Sequence, residues 1–402
     1  MLLAAKLGWM LDAMDFLLYV MVIGRLKEYF HFDDATAGLL GTITLLVSAA
    51  GGLFFGAIAD RFGRARALIF TILIFSLGSL GAATSQTVTQ LLLWRALLGL
   101  GMGGEWASGA ALVCESWPAE HRVKAIAIMQ SGWALGYILA SAAAAIVLDV
   151  LHLGEDAWRW LFVVGAVPAL FTLWVRRSVP ESPVWLQHRA SGTPRVNSLA
   201  VLFGPPLWRR TVLATLLTGS VMFANWGLFF WLPSFLARPV EQGGAGMSIL
   251  RSMSWLIPMQ VGAYIGYLSF GLISDRVGRR RTFVTYMIAA AVLVPIYGQL
   301  ARSPNMLMAL GPLVGFVGYG FFSMFGSFLA ELFPTSVRAT GQGLAYNVGR
   351  GLGAFAPFTI GVIADMPRYG IGSALALTSA FFLTGALLVL TLPDTSGRPL
   401  EA

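Results

Sequence analysis

The chain has 402 residues, 57% of them hydrophobic and only 11% charged, with a formal net charge of +8. An average soluble domain carries about 25% charged residues, so this composition excludes an ordinary water-soluble globular protein in favour of one that lives in a bilayer. The single cysteine, Cys114, excludes an intramolecular disulfide and a cysteine-rich metal site.

A bilayer core takes about 20 apolar residues per helix, and runs of that size recur along the whole chain. They predict twelve helices, over 8–30, 36–59, 66–84, 88–113, 124–147, 157–175, 210–236, 248–273, 280–301, 304–330, 339–364 and 370–392. The runs are continuous rather than alternating, which excludes a β-barrel. No small-residue cleavage site follows the short stretch before Gly8, so the first run reads as a retained helix, not a signal peptide. The segment 176–208 is rich in Arg, Ser and Pro and lacks an apolar run. It reads as a linker between an N-terminal six-helix bundle (1–175) and a C-terminal one (209–402).

Basic residues collect in the loops that stay on the cytoplasmic side of a membrane. Eighteen of the 27 Lys and Arg fall at Lys6, in the even-numbered connections and in the tail. Seven fall on the other side, and Arg95 and Arg350 lie within runs. This bias predicts both termini in the cytoplasm. The positive charge then reports topology, and no nucleic-acid partner is expected, because the basic residues sit at helix ends rather than on one folded face.

Two of the turns on that side look alike. GAIADRFGRAR begins at Gly56 and GLISDRVGRRR at Gly271, so that Asp60 and Asp275 lie 215 residues apart. ESWPAEHRVKA from Glu115 and ELFPTSVRATG from Glu331 form a second pair, 216 apart. Two motif pairs with one offset argue for duplication of a six-helix unit. In each first turn, glycine permits close helix approach at Gly56, Gly63, Gly271 and Gly278. The aspartate can cap a helix end or pair with Arg122 or Arg338. With Arg61, Arg64, Arg276 and Arg279, these residues are the candidates for a conformational latch.

GxxxDRxGRxR in both halves resembles the signature loop of the major facilitator superfamily. RALLGLGMGGEW (Arg95 to Trp106), PESPVWL (Pro180 to Leu186) and LPDTSGRPLE (Leu392 to Glu401) resemble that superfamily's segments in and after the fourth, sixth and twelfth helices. The resemblance covers essentially the whole chain. It implies an all-α integral membrane protein of two pseudo-symmetric six-helix bundles, with a central cavity and alternating access. DAMDF (Asp12 to Phe16) is similar to the D-x-x-D element of aromatic-acid/proton symporters, and GMGGEWASGAALVCESWP is similar to the sialate/proton symporters, relatives of the lactate permeases. These branches imply cotransport of an organic anion with protons.

A charge near the bilayer centre costs several kcal/mol, so each one is a functional candidate. Here they are Asp12, Asp15, Arg95, Glu105 and Arg350. Asp12 and Asp15 stand at i and i+3 on one helix face, and with Glu105 they are the proton-coupling candidates. Arg350 lies about twelve residues into its helix, about 18 Å deep. It is the candidate for the substrate carboxylate, which a guanidinium binds in bidentate fashion. Asn347, Arg95, Asn225, Trp226, Gln260, Tyr264 and Tyr319 lie at depths that allow them to complete a pocket. The four histidines fall at helix ends or loops, so no imidazole relay in mid-membrane is expected.

The expectation is a monomeric, multi-pass transporter of the inner (plasma) membrane. It would be a carboxylate symporter driven by protons, for a monocarboxylate, a sialate or an aromatic acid. No enzyme activity, cofactor or metal is expected, since neither a nucleophile–base pair nor a phosphate loop is visible. The alternatives are a sugar or polyol transporter, which would not need Arg350, and a transporter-like receptor, which would usually carry a soluble signalling domain.

Overall fold

The computed structural model describes residues 1–117, 122–151, 153–181, 186, 198–205, 207–300, 303–334, 337–366 and 368–393. All regular structure among them is helical. Six membrane-sized helices form the first half: α1 (Leu2–Phe30), α2 (Asp34–Phe62), α3 (Arg64–Ala83), α4 (Val88–Ser116), α5 (122–150) and α6 (157–178). Six form the second: α7 (Trp208–Ala237), α8 (Ile249–Val277), α9 (Arg279–Gln299), α10 (304–331), α11 (338–364) and α12 (370–391). The twelve lie on the twelve apolar runs. The main difference from the sequence reading is that several are broken. In α6 the break falls just before Pro168, and in α11 just before Pro357. Proline removes a backbone donor and clashes with the preceding turn.

Among the described residues, nine stretches are long and apolar enough to cross a membrane. The remaining spans are α4 and α11, which carry Glu105, Arg95 and Arg350, and the broken α6. The most buried stretches are α1 and α7, each 78% buried, against 39% for α12. The first helix of each half is thus central, and α12 faces outward.

The duplication extends into the packing. In the first half a Cβ on Gly99 would stand 2.2 Å from the Thr44 carbonyl oxygen, and one on Gly51 would stand 2.3 Å from that of Leu100. In the second half Gly315 approaches the Met259 carbonyl at 2.0 Å, and Gly266 that of Phe316 at 2.4 Å. The α2 and α8 members of these pairs are 215 residues apart and the α4 and α10 members 216, the offsets of the loop motifs. Close backbone approach through small residues is how helices associate in lipid, where water provides no driving force.

The start of α1 and the end of α12 share one face of the bundle pair. On the opposite face the halves are locked together. Asp34, at the start of α2, pairs with Lys27 of α1 and with Arg238 at the end of α7. Asp365, past the end of α11, accepts from the N–H groups of Ala35 (2.8 Å) and Asp34 (3.3 Å). Beneath them Gly38 abuts the Pro357 carbonyl. On the termini face Lys6 of α1 donates to the Tyr264 hydroxyl of α8 at 3.4 Å, and Trp106 of α4 stacks on Tyr346 of α11.

Candidate functional site

Between the halves lies a cavity lined by Arg350, Asn225 and Gln130, by Met222, and by the rings of Trp9, Trp133, Trp226, Tyr267, Tyr319, Phe322 and Tyr346. Its volume is about 30 Å³. Contacts between the halves stand on either side of it, at Asp34–Arg238 on one face and at Trp106–Tyr346 on the other.

Arg350 owes its aim to the glycines around it. On α11, Gly349 packs against Thr218 of α7, and Gly353 against Met222. With that stripe fixed on α7, the next position turns toward the first half. Arg350 is 1% exposed. It donates from one terminal nitrogen to Ser48 Oγ of α2 at 2.9 Å, and its Nε has no partner.

Two carboxylates face this guanidinium across the boundary between the halves. Asp12 and Glu105 are fully buried, and none of their four oxygens has a hydrogen-bond partner. Each lies within electrostatic range of Arg350, and Asp12 also within range of Glu105. Glu105 rests against α1 at Gly8, where a Cβ would meet its Oε1 at 2.6 Å, one turn from Asp12.

Asp15 goes elsewhere. Positions i and i+3 on a helix differ by about 60° around the axis, and that rotation carries Asp15 into the interior of the first half. There it accepts from Ser79 of α3, in space that Gly165 of α6 leaves open. Arg95 is its charged neighbour. The Arg95 guanidinium carbon stands 4.4 Å from the Tyr19 ring centroid and 5.3 Å from that of Phe16, a cation–π arrangement. Arg95 is fully buried and does not line the cavity.

Of the other pocket candidates, Asn225, Trp226 and Tyr319 line the cavity. Asn225 also donates to the Gly318 carbonyl at 3.0 Å. Gln260 is buried beside Tyr319 with neither amide atom in a hydrogen bond. Asn347 turns to α2 at Gly52, and Tyr264 turns to Lys6. The sequence reading passed over Trp9, Gln130, Trp133, Tyr267 and Tyr346. Helical spacing held a signal for two of them: Trp9 lies three residues before Asp12, and Tyr346 four before Arg350. Asp34 gave no such signal, and Asp365, at a helix end, reads as solvated; together they join the halves on the face opposite the termini.

At the candidate latch, Gly63 and Gly278 close α2 and α8 with φ of 108° and 96°, a region that favours glycine. Glu181 accepts from the N–H groups of Arg64 (2.7 Å) and Ala65 (3.1 Å) at the start of α3. In the second half, Arg279 at the start of α9 forms an ion pair with Glu331. Arg61 and Arg276 are exposed. Gly56 and Gly271 have open space where a Cβ would stand, so contrary to expectation they serve no close approach here. The side chains of Asp60, Arg122, Asp275 and Arg338 lie outside the described residues.

Residues 7–269 match the family model of the Major Facilitator Superfamily, and residues 272–402 that of the sugar (and other) transporters. The chain belongs to the major facilitator superfamily. It is 37% identical over 98% of its length, and 90% of the other chain, to a Cupriavidus pinatubonensis protein named "Probable 4-methylmuconolactone transporter". It is 29% identical to the cis,cis-muconate transport protein of Acinetobacter baylyi, over 99% of its own length and 95% of the other, and 29% identical to a sialic acid transporter of Escherichia coli, over 97% and 92%. A D-xylose–proton symporter superposes with a TM-score of 0.79 at 19% identity, covering 99% of both chains, which is a likeness of fold. This superfamily member is a membrane transporter rather than an enzyme.

Proposed function

We propose that the protein carries a small organic anion together with protons by alternating access, with both termini in the cytoplasm of a bacterial cell. The observation that carries this is the buried set Arg350, Asp12 and Glu105. One fixed cation and two unpaired carboxylates share the boundary that must open and close.

Arg350 binds the substrate carboxylate through its planar fork, and the surrounding rings hold the rest of the molecule. The relatives named for muconate, methylmuconolactone and sialic acid support an acid as cargo. Without substrate, Arg350 and the two carboxylates of Asp12 and Glu105 sum to one negative charge. When an anion arrives, a proton on one of these carboxyls leaves that sum unchanged. Anion and proton together therefore permit closure, which is what coupling requires. Asp15, with Arg95 as its charged neighbour inside the first half, ties the proton site to the packing of α1 against α3 and α6. The turns at Gly63 and Gly278 latch the cytoplasmic side in one of the two states. A neutral sugar would leave Arg350 and both carboxylates without a task.

Exchange of labelled against unlabelled acid across proteoliposomes tests the anion site, using a short monocarboxylate, benzoate, a sialic acid and, as a neutral control, glucose. Arg350→Gln is expected to abolish exchange of the acid that the native protein carries. Exchange at the native rate would place the anion site elsewhere.

A further inference from the structure

The halves meet around the cavity through aromatic rings, and the two meeting points differ. Toward the outer face, Phe16 and Tyr19 of α1 meet Trp226 and Phe230 of α7 with centroids 5.1, 6.5 and 6.0 Å apart and planes inclined by 67°, 54° and 46°. Toward the cytoplasmic face, Trp106 of α4 lies flat on Tyr346 of α11, with centroids 3.7 Å apart and planes 4° apart. Its indole N–H donates to Gln130 Oε1 at 3.2 Å, which holds the ring in that plane.

The flat pair is also the floor of the anion site. Tyr346 lines the cavity, and its ring centroid is 5.5 Å from the Arg350 guanidinium carbon. It lies one helical turn nearer the cytoplasm than Arg350. Trp106 covers one face of the Tyr346 ring at 3.7 Å, so the body of an acid bound to Arg350 can lie on that face only if Trp106 withdraws. Cytoplasmic opening requires that same withdrawal, because the two rings belong to different halves.

We propose that the Trp106–Tyr346 stack selects for planar acids, by letting the flat body of an acid held on Arg350 take the indole's place on Tyr346 as the cytoplasmic side opens. A conjugated or aromatic acid replaces one flat contact with another, so the attraction lost when the rings part is regained. A puckered acid of the same charge and size regains less and crosses more slowly. Specificity of this kind acts on the opening step as well as on binding. The inference rests on the carboxylate reading of Arg350 and adds the shape of the cargo to it.

Benzoate and cyclohexanecarboxylate share a charge and nearly a size, and differ in planarity. Their initial uptake rates into proteoliposomes under an imposed pH gradient give a shape ratio. The native protein is expected to favour benzoate by about tenfold. Trp106→Leu and Tyr346→Leu each lower the ratio by about fivefold, the scale of one aromatic pair, while Trp106→Phe keeps most of it. A native ratio near one overturns the proposal, whether or not the variants fold. So does a ratio unchanged in both leucine variants. Loss of both acids in Arg350→Gln, combined with either result, leaves the carboxylate reading standing and removes only this inference. If the native protein carries neither acid but moves glucose, both fall.

Discussion

A charge held near the middle of a bilayer costs several kcal/mol. Among the described residues, five lie buried inside the spans: Asp12, Asp15, Arg95, Glu105 and Arg350. Their roles separate by substitution. Arg350→Lys keeps the charge but loses the planar fork, so uptake should fall by roughly tenfold, against a hundredfold or more for Arg350→Gln, as about 1.4 kcal/mol per decade implies. Initial uptake rates at equal reconstituted amounts measure both. Asp12→Asn and Glu105→Gln should behave differently, keeping acid exchange while losing accumulation driven by a pH gradient in at least one of the pair. All five charges were legible in the sequence, because each falls inside an apolar run. How they are shared out was not. A 60° turn separates Asp12 from Asp15, and the partners of each come from helices far away in the chain.

At the scale of helices, glycines divide by what stands opposite them. Gly99 and Gly315 touch backbone of the neighbouring helix, and backbone cannot move aside as a side chain can. Gly99→Val should destabilise by about 1–3 kcal/mol, visible as a lower unfolding temperature in detergent, while Gly56→Ala, which faces open space, should leave that temperature unchanged. The loop motifs revealed the duplication, but these packing glycines were lost among 46 in the chain. The lock on the face opposite the termini was also hidden, because Asp34, Arg238 and Asp365 meet only in three dimensions. In the closed lock, burial first and then the charges of Asp34 and Asp33 hold the Asp365 carboxyl above its ordinary value of 3.8, against the bonds from Ala35 and Asp34 N–H. Lys27 and Arg238 balance Asp34 beside it. When the lock opens, Asp365, already partly exposed, loses the neighbouring charges of Asp34 and Asp33 and returns toward its ordinary value. Its contribution to closure is therefore fully present below 3.8 and is lost as pH rises through the closed-state value. Thiol labelling of Thr42→Cys, in a Cys114→Ser background, should show an opening that increases with pH. Asp365→Asn should remove that part of the slope.

For the whole molecule, the twelve spans and the two-fold repeat followed from composition and spacing alone, since bilayer thickness fixes helix length. The cavity did not follow, because its walls are aromatic residues from both halves whose sequence setting looks like any other membrane helix. In the proposed cycle, anion and proton together lower the cost of parting the contacts that join the halves on both faces.

The most direct test is accumulation. Proteoliposomes with an inward pH gradient are given labelled benzoate, a short monocarboxylate, a sialic acid and glucose. One acid should rise above its external concentration, collapse on addition of a protonophore, and fail to accumulate in Arg350→Gln. Accumulation of no acid, with glucose merely equilibrating, would contradict proton-coupled anion transport.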